Sequence, residues 1–165
     1  MHLQLAAEYE VHEQYENAIN EYRKIIAECD NIAPVEFARC YASLGRALSY
    51  INKPEEGLNV LKKGISIYPE VGDLYFFAAE IEYNLGHLAE TIHYCEEGLK
   101  HHKESYWCTI IGLDSYFPYM LLGVCYHKIG QPVLGLGYAA LAKNKNNNED
   151  TNNLYNAIIY DINRG

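Results

Sequence analysis

The stretch YMLLGVCYHKIGQPVLGLGYAALA (residues 119–142) contains one full unit of the pattern that decides the fold. In this unit the pair Leu122-Gly123 follows Tyr119 by three residues, and Gly135 follows that pair by twelve. Ala139 and Ala142 come four and seven residues after Gly135. Intervals of three, four and seven place side chains on one face of an α-helix. The stretch therefore predicts two amphipathic helices whose small residues let them approach closely.

Turn residues separate the two halves of each unit. Gly130 follows the first helix of the quoted stretch, at a position where glycine commonly ends a helix. Pro132 comes at the start of the next helix, where a missing N–H costs little. Gly86 has the same place in the preceding unit. Asn52, followed by Pro54, replaces glycine one unit earlier, because asparagine also tolerates left-handed geometry. Each unit therefore reads as a helical hairpin.

The pattern recurs along nearly the whole chain. We predict four copies, at about residues 1–33, 38–71, 72–105 and 116–149. The upstream copies are marked by Leu5, Ala6, Ala18, Tyr22 and Ile25, then by Tyr41, Leu44, Gly45, Gly57, Leu61 and Gly64, then by Tyr75, Ala78, Ala79, Thr91, Cys95 and Gly98. Residues 151–163 predict one more helix, which would cap the last hairpin as solenoid ends require.

This order of residues resembles the tetratricopeptide repeat (TPR), which has a 34-residue period. The fourth copy carries Tyr119, Leu122, Gly123, Tyr126, Gly130, Ala139 and Ala142 in matching order, with Gly135 in place of alanine. The resemblance implies an all-α, right-handed solenoid of about four helical hairpins plus the capping helix, forming a single domain over residues 1–165. It also implies a concave groove lined by the first helix of each hairpin.

Composition narrows the classes of function. The 165 residues are 49% hydrophobic, enough for a folded core, and the formal net charge of −9 argues against binding a nucleic-acid backbone. All of that charge falls in residues 1–100, with 8 Lys/Arg against 17 Asp/Glu, whereas residues 101–165 carry 5 of each. We expect no membrane span and no signal peptide. An odd number of cysteines, five, with no C-x-x-C pair, favours a cytoplasmic location.

No catalytic, metal or cofactor site is predicted. His93, His101 and His102 lie near Cys95 and Cys108, but they lack the close ligand pairs typical of zinc sites. No glycine loop of the kind that cradles phosphate occurs, so no cofactor is expected. Three cysteines fall on buried stripes and are expected in the core, namely Cys40, Cys95 and Cys125. An enzyme using Cys108 or His127 stays an alternative without a motif to support it.

The groove implied by the resemblance carries a mixed set of arginines, acids and aromatic side chains. Such a surface suits an extended peptide or a partner helix. The predicted partner-binding residues are Arg39, Arg46, Ser49, Tyr50, Asp73, Phe76, Glu80, Tyr83, Asn84, Met120 and His127, with Ala42, Phe117 and Val124 beside them. We therefore expect a non-catalytic module that binds a protein or peptide.

A second resemblance is narrower. The residues Pro69, Asp73, Leu74, Tyr75 and Phe76, then Gly112, Ser115 and Tyr116, look like the TPR region attached to bacterial family 2 glycosyltransferases. The catalytic Asp-x-Asp motif of those enzymes does not occur in this chain. The resemblance implies an accessory region that positions an acceptor or contacts a glycosyltransferase catalytic domain. The alternative is a free-standing adaptor that binds an unrelated partner.

An apolar insertion interrupts the repeats at about residues 101–114 and contains Trp107, the only tryptophan. A loop this apolar is expected to pack on its own solenoid or to contact a partner. The sequence leaves that choice and the oligomeric state open.

Overall fold

The computed structural model describes residues 2–28, 35–101 and 116–164. These ranges contain nine α-helices, one short 3₁₀-helix (Val35–Phe37) and no strand. The helices are α1 (His2–Val11), α2 (Tyr15–Glu28), α3 (Ala38–Tyr50), α4 (Pro54–Ile67), α5 (Gly72–Asn84), α6 (Leu88–His101), α7 (Phe117–Lys128), α8 (Pro132–Lys145) and α9 (Glu149–Arg164). The all-α prediction is confirmed.

The helices stack as successive hairpins. Each odd-numbered helix from α1 to α7 packs against the even-numbered helix that follows it, and each hairpin packs against the next. The inner helices α3, α5 and α7 also contact one another in sequence, which forms a continuous inner row. Helix α9 contacts both α7 and α8 and covers the open side of the last hairpin. The chain is therefore an α-solenoid with a capping helix, as the repeat pattern predicts.

The hairpin turns use the residues that the sequence indicates. Asn52, Gly86 and Gly130 all have left-handed backbones, with φ of 62°, 83° and 80°. Pro54 and Pro132 begin α4 and α8. Glu13 makes the equivalent left-handed turn between α1 and α2, at φ 56°, which the sequence did not indicate because glutamate has no special preference for that region.

Small residues set the distance between the two helices of a hairpin. A Cβ added at Gly57 would lie 2.5 Å from the carbonyl oxygen of Gly45, and one added at Gly135 would lie 2.8 Å from that of Gly123. At Gly64 it would lie 2.8 Å from the Cβ of Tyr41. These helices therefore approach closely at glycine positions, where a larger residue would force neighbouring atoms to shift.

The core runs along the solenoid as three adjoining clusters of aliphatic and aromatic side chains. Cys40, Cys95 and Cys125 are fully buried in it, which confirms the prediction that they are core residues. None of the helices within the described ranges is long and apolar enough to cross a bilayer.

Candidate functional site

A cavity of about 370 Å³ lies between the C-terminal halves of α3 and α5. Five of the predicted groove residues meet in its wall, three from α3 and two from α5. These are Arg46, Ser49, Tyr50, Glu80 and Asn84, and the remaining lining residues are Asn52, Pro54, Phe77, Ile81 and Leu85. The cavity therefore joins two consecutive hairpins and includes the turn that follows α3.

Arg46 is held in place by a neighbouring hairpin. Its Nη2 donates a hydrogen bond to Oε1 of Glu10 at 2.9 Å, and the Tyr22 hydroxyl donates to Oε2 of the same carboxylate at 2.6 Å. Both members of the Arg46–Glu10 ion pair are largely buried. The Arg46 guanidinium lies 5.4 Å from the ring centre of Phe77 and 5.9 Å from that of Tyr50. Arg46 thus supports the fold as well as the cavity.

Glu80 offers the cavity an uncommitted carboxylate. It is half-buried, and no residue of the described ranges donates a hydrogen bond to it. Loss of solvent raises the pKa of Glu80, and the nearby charge of Arg46 only partly opposes that rise. Arg46 pairs with Glu10, so Glu80 lines the cavity as a carboxylate without a hydrogen-bond donor among the described residues.

Two aromatic rings and an amide complete the site. Tyr50 is 53% exposed and tilts against Tyr15 at a centroid distance of 5.0 Å, which fixes one wall. Phe77 also lines the cavity, and Asn84 adds an exposed amide. Aromatic faces beside a carboxylate favour a ligand that carries a cationic group. The wall of the cavity thus combines a carboxylate, an amide and two aromatic rings.

Two predicted groove residues lie in the core instead. Phe76 is fully buried, and its ring occupies the space left by Gly98, where an added Cβ would lie 2.5 Å from the ring. Asp73 is buried in the first turn of α5. Every residue of α5 from 72 to 79 is buried, and only the part of this helix from residue 77 onward lines the cavity. Phe77, one residue further on, lines the cavity in place of Phe76.

The other predicted residues do not line this cavity. Arg39 is half-buried near the start of α3, and Met120 is half-buried on α7. The Tyr83 hydroxyl accepts a hydrogen bond from Lys128 at 3.2 Å, which ties α5 to α7. His127 bonds through Nε2 to Oδ2 of Asp161 on α9, at 2.9 Å. Trp107 and almost all of the predicted insertion at about 101–114 lie outside the described residues.

Several site residues were missed from sequence. Glu10 lies 36 positions before Arg46, in a different hairpin, and no local sequence pattern connects the two residues. Phe77 and Ile81 were not selected from the sequence, and both are buried core residues that also line the cavity. Asn52 and Pro54 were predicted as turn residues, and their position directly after α3 was the only available signal that they could line the cavity.

The buried thiols have the properties of core residues. Burial raises the pKa of the Cys95 thiol well above its ordinary value, with a contribution from the neighbouring Cys125. Burial also raises the pKa of Cys125, to about 11. Neither thiol is poised to form a thiolate at neutral pH. Among the residues in the three described ranges, no three His, Cys, Asp or Glu side chains converge as metal ligands would. Cys29, Cys108 and His102 lie outside those ranges.

Comparison with known proteins supports the fold. No protein-family model matches the chain, and no curated protein sequence matches it significantly. Solved structures do match. A crystal structure of MamA has a TM-score of 0.70 and 12% identity, covering 96% of this chain and 85% of the other. PilF of Pseudomonas aeruginosa has a TM-score of 0.68 and 12% identity, covering 96% and 64%.

TTC0263 of Thermus thermophilus, described as a thermophilic TPR protein, has a TM-score of 0.56 and 16% identity. That match covers 96% of this chain and 97% of TTC0263. Identities this low relate the chains by fold alone. Nothing in these similarities connects the chain to a glycosyltransferase.

Proposed function

We propose that this chain is a non-catalytic protein-interaction module that holds an extended peptide along its inner helices. The observation that carries the proposal is the cavity between α3 and α5, where Arg46, Tyr50, Glu80 and Asn84 converge. A cavity built from two adjacent hairpins suits one anchoring side chain of a longer ligand. In protein interfaces, a few aromatic and charged side chains contribute most of the binding energy.

The anchoring side chain should be lysine or arginine. Glu80 supplies a carboxylate without a hydrogen-bond donor among the described residues, and the half-exposed ring of Tyr50 supplies an aromatic face. Arg46 repels a cation less than its charge suggests, because it is paired with Glu10. The net charge of −9 would also attract a basic peptide at a distance.

A peptide library tests this preference. Octapeptides with one fixed central residue (Lys, Arg, Leu or Glu) and random flanks are assayed for binding to the wild-type chain. We expect Lys and Arg to be selected, and Glu80→Gln to weaken their binding about tenfold or more, because hydrogen bonds to charged groups contribute roughly 1.5–3 kcal/mol.

The matched control is Glu90→Gln, which makes the same change of charge on the exposed side of α6. It should leave the selection unchanged. Selection of no fixed residue, or an equal loss in both variants, would contradict the proposal.

A finer proposal is that the module belongs to a glycosyltransferase and positions its acceptor. Only the sequence resemblance at Pro69, Asp73, Leu74, Tyr75, Phe76 and Tyr116 supports it, together with Gly112 and Ser115 outside the described residues. The alternative is a free-standing adaptor with an unrelated partner. Translating the source DNA upstream of the Met1 codon separates them. An in-frame domain with Asp-x-Asp favours the first, and an immediate stop codon favours the second.

A further inference from the structure

The exposed face of α8 is apolar from Val133 to Leu141, before the polar last turn of the helix. We call this the α8 face and define it by Val133, Leu134, Gly137, Ala140 and Leu141. Val133, Leu134 and Leu141 are 76%, 44% and 46% exposed, and an added Cβ at Gly137 would meet nothing within 4 Å. The opposite side of the helix is buried through Gly135, Ala139 and Ala142. Over residues 133–142, α8 is therefore apolar on its solvent-facing side as well as on its buried side, an arrangement typical of a helix with a missing partner.

The same positions are mostly polar in the two preceding hairpins. Counted from the start of each second helix, the matching residues are Glu55, Glu56, Asn59, Lys62 and Lys63 in α4, and Ala89, Glu90, His93, Glu96 and Glu97 in α6. Most of these side chains are exposed. The repeat itself therefore does not require apolar residues there, and the α8 face is a local departure from the pattern.

The spacing of the α8 face is symmetric about its centre. Taking Gly137 as the centre, apolar residues stand at −4, −3, +3 and +4, occupied by Val133, Leu134, Ala140 and Leu141. When two identical helices cross antiparallel at Gly137, the −4 and −3 positions of one meet the +3 and +4 positions of the other. A twofold interface requires this reciprocity. Glycine at the crossing point permits close approach of the two backbones.

Charge favours a second copy of the chain as the occupant. The negative charge lies in residues 1–100, whereas residues 101–165 carry 5 Lys/Arg against 5 Asp/Glu. The α8 face has no ionisable residue. Two lysines near the end of α8 lie over rings of its own chain, Lys143 at 4.7 Å from the Tyr155 ring centre and Lys145 at 5.1 Å from that of Tyr119. The chains can therefore meet at α8 with the least repulsion.

We propose that the α8 face pairs with the α8 face of a second copy in an antiparallel, twofold-symmetric dimer. Three large aliphatic side chains per copy bury less than the roughly 800 Å² per partner of a standard interface. The dimer is accordingly weak and depends on protein concentration. This inference is independent of the peptide-binding proposal, because the cavity lies on α3 and α5.

Sedimentation equilibrium between about 1 µM and 1 mM, the affinity range of weak contacts, tests the dimer. The wild-type chain should show a monomer–dimer equilibrium. Val133→Glu or Leu141→Lys alone should raise the dissociation constant about tenfold or more, because each places a charge against an apolar partner surface. Lys63→Glu, at the α4 position that matches Leu141, is the matched control and should leave the constant unchanged. A monomeric wild-type chain, or an equal loss with Lys63→Glu, would overturn the proposal.

The double variant Val133→Glu/Leu141→Lys tests the antiparallel geometry. In that geometry Glu at position 133 of one copy faces Lys at position 141 of the other, twice per dimer. We expect the double variant to bind itself more tightly than either single variant, although it is more polar. Association no tighter than that of the single variants would overturn the antiparallel pairing. Circular dichroism should show all variants folded, because both positions are exposed in the monomer.

Discussion

The hairpins α3–α4 and α7–α8 share their internal contacts and differ in the residues they expose. Both cross at a pair of glycines, Gly45 with Gly57 in one and Gly123 with Gly135 in the other. The equivalent inner position holds Arg46 in α3, Glu80 in α5 and Val124 in α7. At matching exposed positions, Lys63 on α4 corresponds to Leu141 on α8. The repeat thus constrains the small residues between helices and leaves the outward positions free to specialise.

The largest expected effect comes from the charged inner position. Arg46→Ala leaves Glu10 largely buried without its cation and removes the guanidinium that packs between Tyr50 and Phe77. Breaking a buried ion pair from one side typically costs about 3–5 kcal/mol, and we expect the lower end because both groups retain some solvent. Urea unfolding followed by circular dichroism measures the change.

Val124→Ala is the matched control in α7, where no ion pair exists at the equivalent position. It removes a half-buried aliphatic side chain and should cost about 1 kcal/mol. Equal losses of stability in the two variants would mean that Arg46 contributes no more to the fold than Val124 does. That result would contradict the proposed difference between the two hairpins. Because Arg46→Ala acts on the fold, it is a poor probe of peptide binding, whereas Glu80→Gln keeps the shape of the side chain.

Replacing glycine with alanine should give the next largest changes in stability, and the two glycines Gly135 and Gly137 of α8 should respond in opposite directions. Gly135→Ala adds a methyl group about 2.8 Å from the Gly123 carbonyl oxygen, and Gly57→Ala adds one 2.5 Å from that of Gly45. Overpacking of this kind typically costs about 1–3 kcal/mol. Gly137→Ala meets open space and should instead stabilise α8 by about 0.5–1 kcal/mol. Thermal unfolding in dilute solution should show a lower Tm for the first two variants and a higher Tm for the third.

The fold could be predicted because its determinants are local. Asn52, Gly86 and Gly130 take the left-handed turns that their residue types favour, and Pro54 and Pro132 begin helices. The buried stripes follow from residue spacing along single helices. The turn at Glu13 shows the limit of this reasoning, since glutamate has no preference for the left-handed backbone it adopts between the packed helices α1 and α2.

The candidate site could be predicted only in part because it depends on packing between helices. Counting positions along α3 and α5 was enough to select Arg46, Tyr50 and Glu80. It could not separate Phe76 from Phe77, because adjacent residues differ by about 100° around a helix and the rotation of α5 is set by its neighbours. It also could not find the partner of Arg46, because Glu10 approaches only through the stacking of the first two hairpins.

The smallest expected effect is the pH dependence of folding stability that Glu80 contributes from the inner position of α5. Burial raises the folded-state pKa of Glu80 above its ordinary value of 4.5, so the folded chain holds this proton more tightly than the unfolded chain does. The resulting stabilisation is fully present below pH 4.5 and is lost as pH rises through the folded-state pKa. Glu80→Gln does not titrate, so its stability relative to wild type should rise between pH 4 and pH 7.

Urea unfolding of both chains across this pH range measures the difference, with Glu90→Gln as the exposed control. The α7 hairpin supplies the second control, because Val124 has no titratable group at the matching position. A difference between wild type and Glu80→Gln that stays constant with pH, or that shrinks as pH rises, would mean that the Glu80 carboxylate is solvated or paired in solution. The cavity would then lack the free acceptor on which recognition of a basic side chain depends.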